Sequence, residues 1–321
     1  MTDKFVVGPS PHVLGPKTVK SVMWEVVIAL APVSIAGILL FGLDALLVLV
    51  TATVTAMILE ALVLHRNLKP ASILGDGSAA VSGLILGLIL PPSTPLWMVV
   101  IAAAVGILLG KHAFGGLGNN IFNPALVARA FVFMSWPVAM TTWHGPLSLS
   151  DWTTRVSVDV ASSASPLGGA QHGLMEMFLG QTAGSIGETS ALAILLGAIF
   201  LIVRGHIDWR APLGYVGSAA VVAAIYSFLG GDFALTTIAW QLMAGGLLFA
   251  AVFMITDMVT SPVTKTGRLL FGIGCGLITM VIRLYLSAPE GVTYGILFMN
   301  AMVPLIDRYT VPKVFGEVKS R

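Results

Sequence analysis

A patch of small and hydroxyl side chains behind an acid is the part of this sequence whose residue types could do chemistry. It reads Asp159-Val-Ala-Ser162-Ser163-Ala164-Ser165-Pro166-Leu167, and two glycines follow it. Small residues leave room for a ligand, and a serine hydroxyl offers an oxygen that can form an ester. The alternative is a solvated, Ser-rich loop that holds no ligand.

The patch lies in the one long polar interruption of an otherwise apolar chain, residues 137–188. A loop of about 50 residues is unusual inside a compact fold, and loops of that length are usually either functional or disordered. We predict that this loop is functional and forms a unit of its own between two membrane regions.

The composition is that of an integral membrane protein, with 56% hydrophobic and 10% charged residues, where a soluble domain has about 25% charged residues. The net charge of +2 is too small to indicate nucleic-acid binding. The single cysteine, Cys275, cannot by itself form a disulfide or a four-thiolate iron–sulfur cluster, so any such cluster belongs to a partner. The six histidines occur singly and do not have the spacing of a zinc site.

The apolar runs predict an all-α polytopic membrane protein with about ten transmembrane helices. The runs are Val22–Phe41, Leu43–Leu64, Ser78–Leu90, Pro95–Leu109, Ile121–Trp136, Thr189–Val203, Pro212–Leu229, Leu235–Ile255, Arg268–Leu286 and Val292–Ile306. In the first pair, Gly42 and Asp44 mark the turn.

The distribution of basic residues predicts the orientation. With residues 1–21 and 307–321 placed in the cytoplasm, all of the 17 Lys and Arg residues except Arg129, Arg155 and Arg283 fall on the cytoplasmic side. The loop 137–188 then faces outward. We therefore predict a multi-pass protein of a prokaryotic cytoplasmic (inner) membrane, with both termini in the cytoplasm.

The runs also divide five and five around the loop, which predicts two inverted five-helix repeats, residues 22–136 and 189–306. Gly83-Leu-Ile-Leu in the third run has a counterpart in Gly246-Leu-Leu-Phe of the eighth, and Phe122-Asn123 is echoed by Phe298-Met-Asn300. Inverted repeats are typical of transport folds whose sites lie between the repeats.

The third and eighth helices are predicted to be discontinuous and to line a central path. At about 1.5 Å per residue, the third run of roughly 13 residues is too short to cross a bilayer, and the eighth ends in Thr256-Asp257-Met-Val-Thr260-Ser261-Pro262. Half-helices need protein or water to satisfy their freed backbone groups. Acids at helix ends, Glu60, Asp76, Glu188 and Asp257, are candidates for an ion path. A structural role is the alternative, and Ser185-Ile-Gly-Glu188 has the spacing of a capping box that would open the sixth helix.

Three segments together resemble a known family. They are Gly115-Gly116-Leu-Gly118-Asn119-Asn120-Ile-Phe122-Asn123-Pro124-Ala125, Gly184-Ser185-Ile-Gly187-Glu188-Thr189-Ser190-Ala191 and Thr256-Asp257-Met-Val-Thr260-Ser261-Pro262-Val-Thr264. They are similar to signatures shared by the D subunits of Rnf electron-transport complexes and the B subunits of sodium-translocating NADH:quinone reductases. Because the chain lacks a long N-terminal extension, it resembles the Rnf subunits more closely.

The resemblance implies FMN held through its phosphate on a hydroxyl residue of an Asp-x-x-Ser-Gly-Ala-Thr motif. Asp159, Ser162 and Ala164 match the acid, serine and alanine of that motif, and Ser165 stands at the attachment threonine, while Ser163 replaces the glycine. A serine hydroxyl can form the same phosphoester. The resemblance further implies a flavin transferase for maturation and leaves open a second, non-covalent flavin such as riboflavin.

The function that the resemblance implies is that of a membrane flavoprotein subunit. Its complex would move electrons between ferredoxin and NAD and export sodium or protons, and the partner subunits would carry the iron–sulfur clusters, further flavin and the ferredoxin and NAD sites. No side-chain catalysis is expected from this chain. The alternatives are a subunit of the quinone-reducing relative and a redox-silent solute channel or transporter.

Overall fold

The protein is a bundle of helices in the part of the chain that the structure, a computed structural model, describes: residues 18–65, 75–147, 166–168, 173–230, 234–286 and 291–312. Those residues contain no strand. The α-helices are α1 Val19–His65, α2 Ser78–Ile89, α3 Leu96–Ala104, α4 Pro124–Ser135, α5 Pro137–Thr141, α6 Leu174–Leu179, α7 Ala191–Val203, α8 Arg210–Leu229, α9 Leu235–Met243, α10 Leu247–Phe253, α11 Lys265–Tyr285 and α12 Gly291–Thr310. The predicted all-α polytopic class is confirmed.

Four stretches are long and apolar enough to cross a membrane within the described ranges: Val19–Leu64, Leu96–Phe114, Arg210–Leu229 and Lys265–Tyr285. The first has 46 residues, about twice what a hydrocarbon core of roughly 30 Å requires. It is divided at Gly42, whose φ of 68° interrupts the helix. Two crossings joined at Gly42 are therefore consistent with the predicted turn. The full ten-helix repeat and its domain boundaries stay predictions.

The third run forms the short helix α2, and the freed carbonyls at its C-terminal end are satisfied by other parts of the chain. Gly187 N–H donates to Leu88 O at 2.7 Å, Ile186 N–H donates to Leu90 O at 3.2 Å, and the Arg129 guanidinium donates to Ile89 O. Each group would otherwise be an unpaired acceptor at membrane depth. The segment before α7 thus closes the end of α2.

The eighth run is divided into α9 and α10, which meet at an angle of 60°. The break lies at Ala244–Gly246, where Gly245 has a φ of 64°. The sequence had placed the end of this run later, at Thr256–Pro262. A Cβ on Gly246 would come within 2.6 Å of Glu188 Oε1. The two glycines thus allow the turn and the close approach of a carboxylate.

Close packing of α8 against α11 depends on glycine. A Cβ on Gly272 would overlap the carbonyl oxygen of Ala211, whereas a Cβ on Gly217 would meet no atom within 4 Å. We expect Gly272→Ala to lower the free energy of unfolding by about 1–3 kcal/mol, because overpacking forces the two helices apart. Thermal denaturation in detergent measures this effect. The matched variant Gly217→Ala should melt like the wild type, and equal melting of the two variants would contradict the prediction.

Candidate functional site

The residues of the predicted flavin-attachment patch, Asp159, Ser162, Ala164 and Ser165, lie outside the described residues. The chain is described again at Pro166–Gly168, a single 3-10 turn. Pro166 and Leu167 line a cavity of about 440 Å³, which we name the loop-side cavity. Its other lining residues are Arg129, Trp143, Met177, Thr182, Ala183, Gly184, Glu188, Thr189, Met243 and Gly245. The cavity therefore lies next to the residue that follows Ser165.

A buried ion pair forms one wall of the loop-side cavity. Arg129 of α4 lies 3.0 Å from Glu188 Oε1, and only 6% of the Arg129 side chain is exposed. The guanidinium also contacts Ser185 Oγ at 3.5 Å. Glu188 therefore forms an ion pair with a residue of the first predicted repeat. It lies beside this cavity, whereas Asp76 and Asp257 lie at the opposite end of the molecule.

The predicted capping box at Ser185 and Glu188 is wrong. Helix α7 begins at Ala191, and Ser190 is its N-cap, with Oγ accepting from Ala193 N–H at 3.3 Å. Glu188 N–H instead closes a turn on Ser185 O. The Glu188 carboxylate points to Arg129 because a buried guanidinium stabilises it more than a backbone N–H does.

His144 lies close to the same cavity, one residue after Trp143. It is 5% exposed and its Nδ1 has no hydrogen-bond partner. Burial lowers the pKa of His144, and the charge of Asp44 opposes that shift. The neutral imidazole is therefore the favoured form beside the cavity at neutral pH.

A second cavity, of about 780 Å³, lies between the two predicted repeats, and we name it the central cavity. Its lining residues are Val22, Met23, Val26, Ser78, Val81, Ser82, Ile85, Lys111, Leu117, Asn120, Asn123, Pro124, Leu201, His206, Ile207, Phe253, Thr256, Asp257, Met258 and Val259. Both the Gly115–Ala125 motif and the Thr256–Thr264 motif thus contribute residues to one site.

A single amide side chain joins these two motifs. Asn300 Oδ1 accepts from Asn123 N–H at 3.3 Å, and Asn300 Nδ2 donates to Thr260 O at 3.0 Å. Asn123 also caps α4 by accepting from Ala125 N–H at 3.0 Å. The two asparagines whose resemblance suggested a repeat therefore meet across the repeats.

Lys111 is a functional candidate that sequence reasoning missed. It ends a π-helical segment, Val105–Lys111, that continues α3, and it is 2% exposed. Its Nζ donates to Glu60 Oε1 at 2.8 Å, to Glu60 Oε2 at 2.7 Å and to Ser78 Oγ at 2.6 Å. The sequence placed Lys111 with the other cytoplasmic basic residues. The sequence signal that could have found it is the acid Glu60 at the end of a neighbouring run. The π-helical turn, a conformation frequent at functional sites, is visible only in the structure.

The candidate acids Asp76 and Asp257 have structural partners. Asp76 Oδ1 accepts from Ser78 N–H at 2.9 Å and from Ser78 Oγ at 2.6 Å, so it orders the start of α2. Asp257 accepts from Val259 N–H at 3.2 Å and from Thr260 Oγ1 at 3.0 Å. Asp257 lines the central cavity, as Lys111 does. No group of three or more potential metal ligands occurs among the described residues.

Comparison with known proteins shows which family this chain belongs to. Residues 6–316 match the family described as NQR2, RnfD, RnfE. The chain belongs to the NQR2, RnfD, RnfE family. This confirms the resemblance inferred from the three motifs.

Relatives within the NQR2, RnfD, RnfE family match along nearly the whole chain. The D subunit of a proton-translocating ferredoxin:NAD(+) oxidoreductase complex from Clostridium ljungdahlii is 42% identical, over 97% of this chain and 96% of the relative. The D subunit of the Na(+)-translocating complex from Acetobacterium woodii is 38% identical, over 98% and 96%. The D subunit of an ion-translocating oxidoreductase complex from Stutzerimonas stutzeri is 37% identical, over 93% and 92%.

Proposed function

We propose that this chain is the membrane-embedded D subunit of an Rnf-type ion-translocating ferredoxin:NAD oxidoreductase complex and that it carries FMN esterified to Ser165. The names of the relatives, matched along nearly the whole chain, support its place in such a complex. The single observation that carries the flavin is the loop-side cavity, because two of its lining residues directly follow the predicted attachment residue.

The residues of the loop-side cavity fit a flavin. Its lining combines apolar side chains with a few polar groups, as is typical of small-molecule sites. Apolar groups from Trp143, Met177 and Met243 could enclose the ring, while Arg129 and Thr189 offer polar contacts. A bound flavin supplies exchange of one or two electrons, which no side chain here can provide. The chain's own part is to tether, orient and shield the group from water.

Asp159, Ser162 and Ala164 are proposed to form the sequence that a flavin transferase reads before it esterifies Ser165. The hydroxyl of Ser165 would replace that of threonine at the attachment site, with the loss of one methyl group. The loop 137–188 would then present the flavin at the outer membrane face, and both termini would lie in the cytoplasm. Partner subunits would supply the iron–sulfur clusters and the ferredoxin and NAD sites.

The central cavity is proposed to hold the second, non-covalent flavin. Its wall is mostly apolar with a few polar groups, as in small-molecule sites, and side chains from both predicted repeats line it. Asn120 and Asn123 offer amide groups within a mostly apolar wall, and Lys111 adds a buried positive charge. A flavin there would lie near the end of the molecule that is predicted to face the cytoplasm.

Three acids are proposed to take part in ion movement. Asp76 and Asp257 lie at the end of the molecule with the central cavity, and Glu188 lies beside the loop-side cavity. The names of two relatives of similar identity specify different ions, protons and Na(+). Membership of the family therefore does not by itself fix the coupling ion.

Removing the Ser165 hydroxyl tests the proposal directly. When the chain is produced with a flavin transferase and denatured, wild type should fluoresce in the gel, while Ser165→Ala should lose essentially all of that signal because no ester can form. Ser165→Thr should retain the signal, and so should Ser163→Ala, which removes a neighbouring hydroxyl. Flavin released into the supernatant on denaturation measures the second, non-covalent site.

A dark wild-type band would contradict covalent attachment, and the redox-silent channel would then become the better explanation of the fold. Equal fluorescence of Ser165→Ala and wild type would place the attachment elsewhere in the chain. Absence of released flavin would contradict the assignment of the central cavity.

A further inference from the structure

A third cavity lies directly beside the central cavity, and we name it the Arg268 cavity. Its lining residues are Gly205, His206, Ile207, Asp208, Ala211, Ile255, Thr256, Met258, Ser261 and Arg268. Four of these residues also line the central cavity: His206, Ile207, Thr256 and Met258. These four residues therefore form a common wall between the two cavities.

The Arg268 cavity reaches the surface of the described chain at a charged rim. Arg268 Nη1 lies 3.1 Å from Asp208 Oδ2, and 36% of the Arg268 side chain is exposed. Ser261 adds a hydroxyl to the lining. The cavity thus leads from a polar surface to the common wall. In the predicted orientation this surface faces the cytoplasm.

The backbone of His206 in the common wall is fixed by the end of α7. Gly205 has a φ of 71°, and its N–H donates to Ile202 O at 3.0 Å, while His206 N–H donates to Leu201 O at 3.0 Å. These two bonds and the left-handed glycine form a Schellman motif, which ends the helix and satisfies its last carbonyls. Any opening of the wall at His206 must therefore come from its side chain.

The side chain of His206 is held in the wall by a carboxylate of α1. His206 Nε2 forms a close ion-pair contact with Glu25 Oε2, and only 5% of the His206 side chain is exposed. Arg204 Nε donates to the same Glu25 oxygen at 2.8 Å. Val22 and Val26, near Glu25 on α1, line the central cavity, whereas Glu25 itself lines neither cavity. A residue outside both cavities thus sets the position of an imidazole between them.

We propose that the His206 side chain is a gate between the Arg268 cavity and the central cavity, that Glu25 holds this gate closed, and that the non-covalent flavin enters and leaves through it. Rotation of the imidazole away from Glu25 opens the wall while the Schellman motif keeps the backbone in place. This inference rests on the proposed non-covalent flavin in the central cavity. It adds the route by which that flavin is exchanged.

A gate has a kinetic signature that a ligand contact lacks. Entry and exit both pass through the open state, so loosening the gate raises the two rate constants by the same factor and leaves the dissociation constant unchanged. Loss of a contact to the flavin raises the exit rate and the dissociation constant together. Glu25 is the sharper position to change, because its replacement leaves the lining of both cavities intact.

Exchange of riboflavin in the purified full-length chain tests the gate. The release rate is followed by diluting the riboflavin-loaded, detergent-solubilised chain into excess riboflavin-binding apoprotein, which quenches free riboflavin, and equilibrium dialysis gives Kd. Glu25→Ala should release riboflavin at least about tenfold faster than wild type with Kd within about twofold, because a closed gate opens only in a minor state. The matched control Arg204→Met removes the other cation on Glu25 and should exchange like wild type.

A pair of variants at His206 makes the test independent of whether Glu25→Ala folds. His206→Gln keeps a donor for Glu25 and should exchange like wild type, whereas His206→Ala should exchange as fast as Glu25→Ala. Wild-type release rates in both alanine variants would overturn the inference. So would a Kd of Glu25→Ala that rises by the same factor as the release rate. A wild-type chain that binds no riboflavin would instead refute the proposed central-cavity flavin.

Discussion

Replacement of Lys111 by methionine is expected to lower the free energy of unfolding by about 3–5 kcal/mol, because it leaves the buried carboxylate of Glu60 without its cation. Lys111 is 2% and Glu60 6% exposed, and all three ammonium protons are used by Glu60 and Ser78. The lost bonds join the second arm of α1, the start of α2 and the end of the π-helical segment. Denaturation of the detergent-solubilised chain, followed by tryptophan fluorescence, measures the effect.

Two further variants distinguish destabilisation caused by breaking the buried ion pair from any general effect of removing a lysine. Lys265→Met removes an exposed lysine at the start of α11 and should change stability by less than about 0.5 kcal/mol. The double variant Lys111→Met with Glu60→Met should recover part of the loss, since no unpaired charge remains. A single variant Lys111→Met as stable as Lys265→Met would show that the ion pair contributes nothing.

Replacement of Arg129 by methionine should destabilise the fold by a similar amount, about 3–5 kcal/mol. Arg129 is 5% exposed and binds two acceptors, the largely buried carboxylate of Glu188 and the carbonyl of Ile89 at the end of α2. Methionine fills much of the volume but donates to neither acceptor. The loss should appear as a lower midpoint of denaturation and a lower yield of folded chain.

The matched control is Arg308→Met, which removes an exposed arginine in the last turn of α12. It should unfold close to wild type. If Arg129→Met also unfolds close to wild type, water must replace the guanidinium, and the wall of the loop-side cavity is then not closed. Arg129→Lys keeps the charge and should be intermediate, because the shorter side chain cannot place its ammonium where Nη1 binds both Glu188 and Ile89.

Features that depend on neighbours along the chain could be predicted from the sequence. The turn at Gly42 and the short α2 follow from the lengths of apolar runs and from glycine, and both occur in the structure. The break in the eighth run also has a local signal, the pair Gly245-Gly246, but the sequence directed attention to the polar residues after the run. The backbone conformation of Gly245, not the polarity of Asp257, marks the break.

Features that depend on contacts across the fold could not be predicted. The spacing of Ser185 and Glu188 satisfies a capping box, yet the carboxylate binds Arg129 from 59 residues away along the chain. The burial of Lys111 depends in the same way on Glu60, 51 residues distant. A spacing rule considers only partners close in the sequence. A buried charge is paired instead with whichever residue of the fold best compensates its loss of hydration.

The basic residues that fall outside the predicted cytoplasmic set are concentrated near the loop-side cavity. Two of the three basic residues that depart from the cytoplasmic bias, Arg129 and Arg283, lie at or behind this one cavity, although they come from different predicted repeats. Two of the three departures from the predicted charge distribution therefore coincide with one cavity.

The contacts of Asn300 and Arg129 restrict how parts of the chain can move relative to one another. Asn300 links Asn123 to Thr260 by hydrogen bonds beside the central cavity, and Arg129 forms an ion pair with Glu188 beside the loop-side cavity. Rocking of one predicted repeat against the other, the movement by which many carriers alternate access, would have to break the Asn300 contacts, and the Arg129–Glu188 pair ties the end of the loop to the first predicted repeat. The two contacts therefore brace the described helices at both cavities.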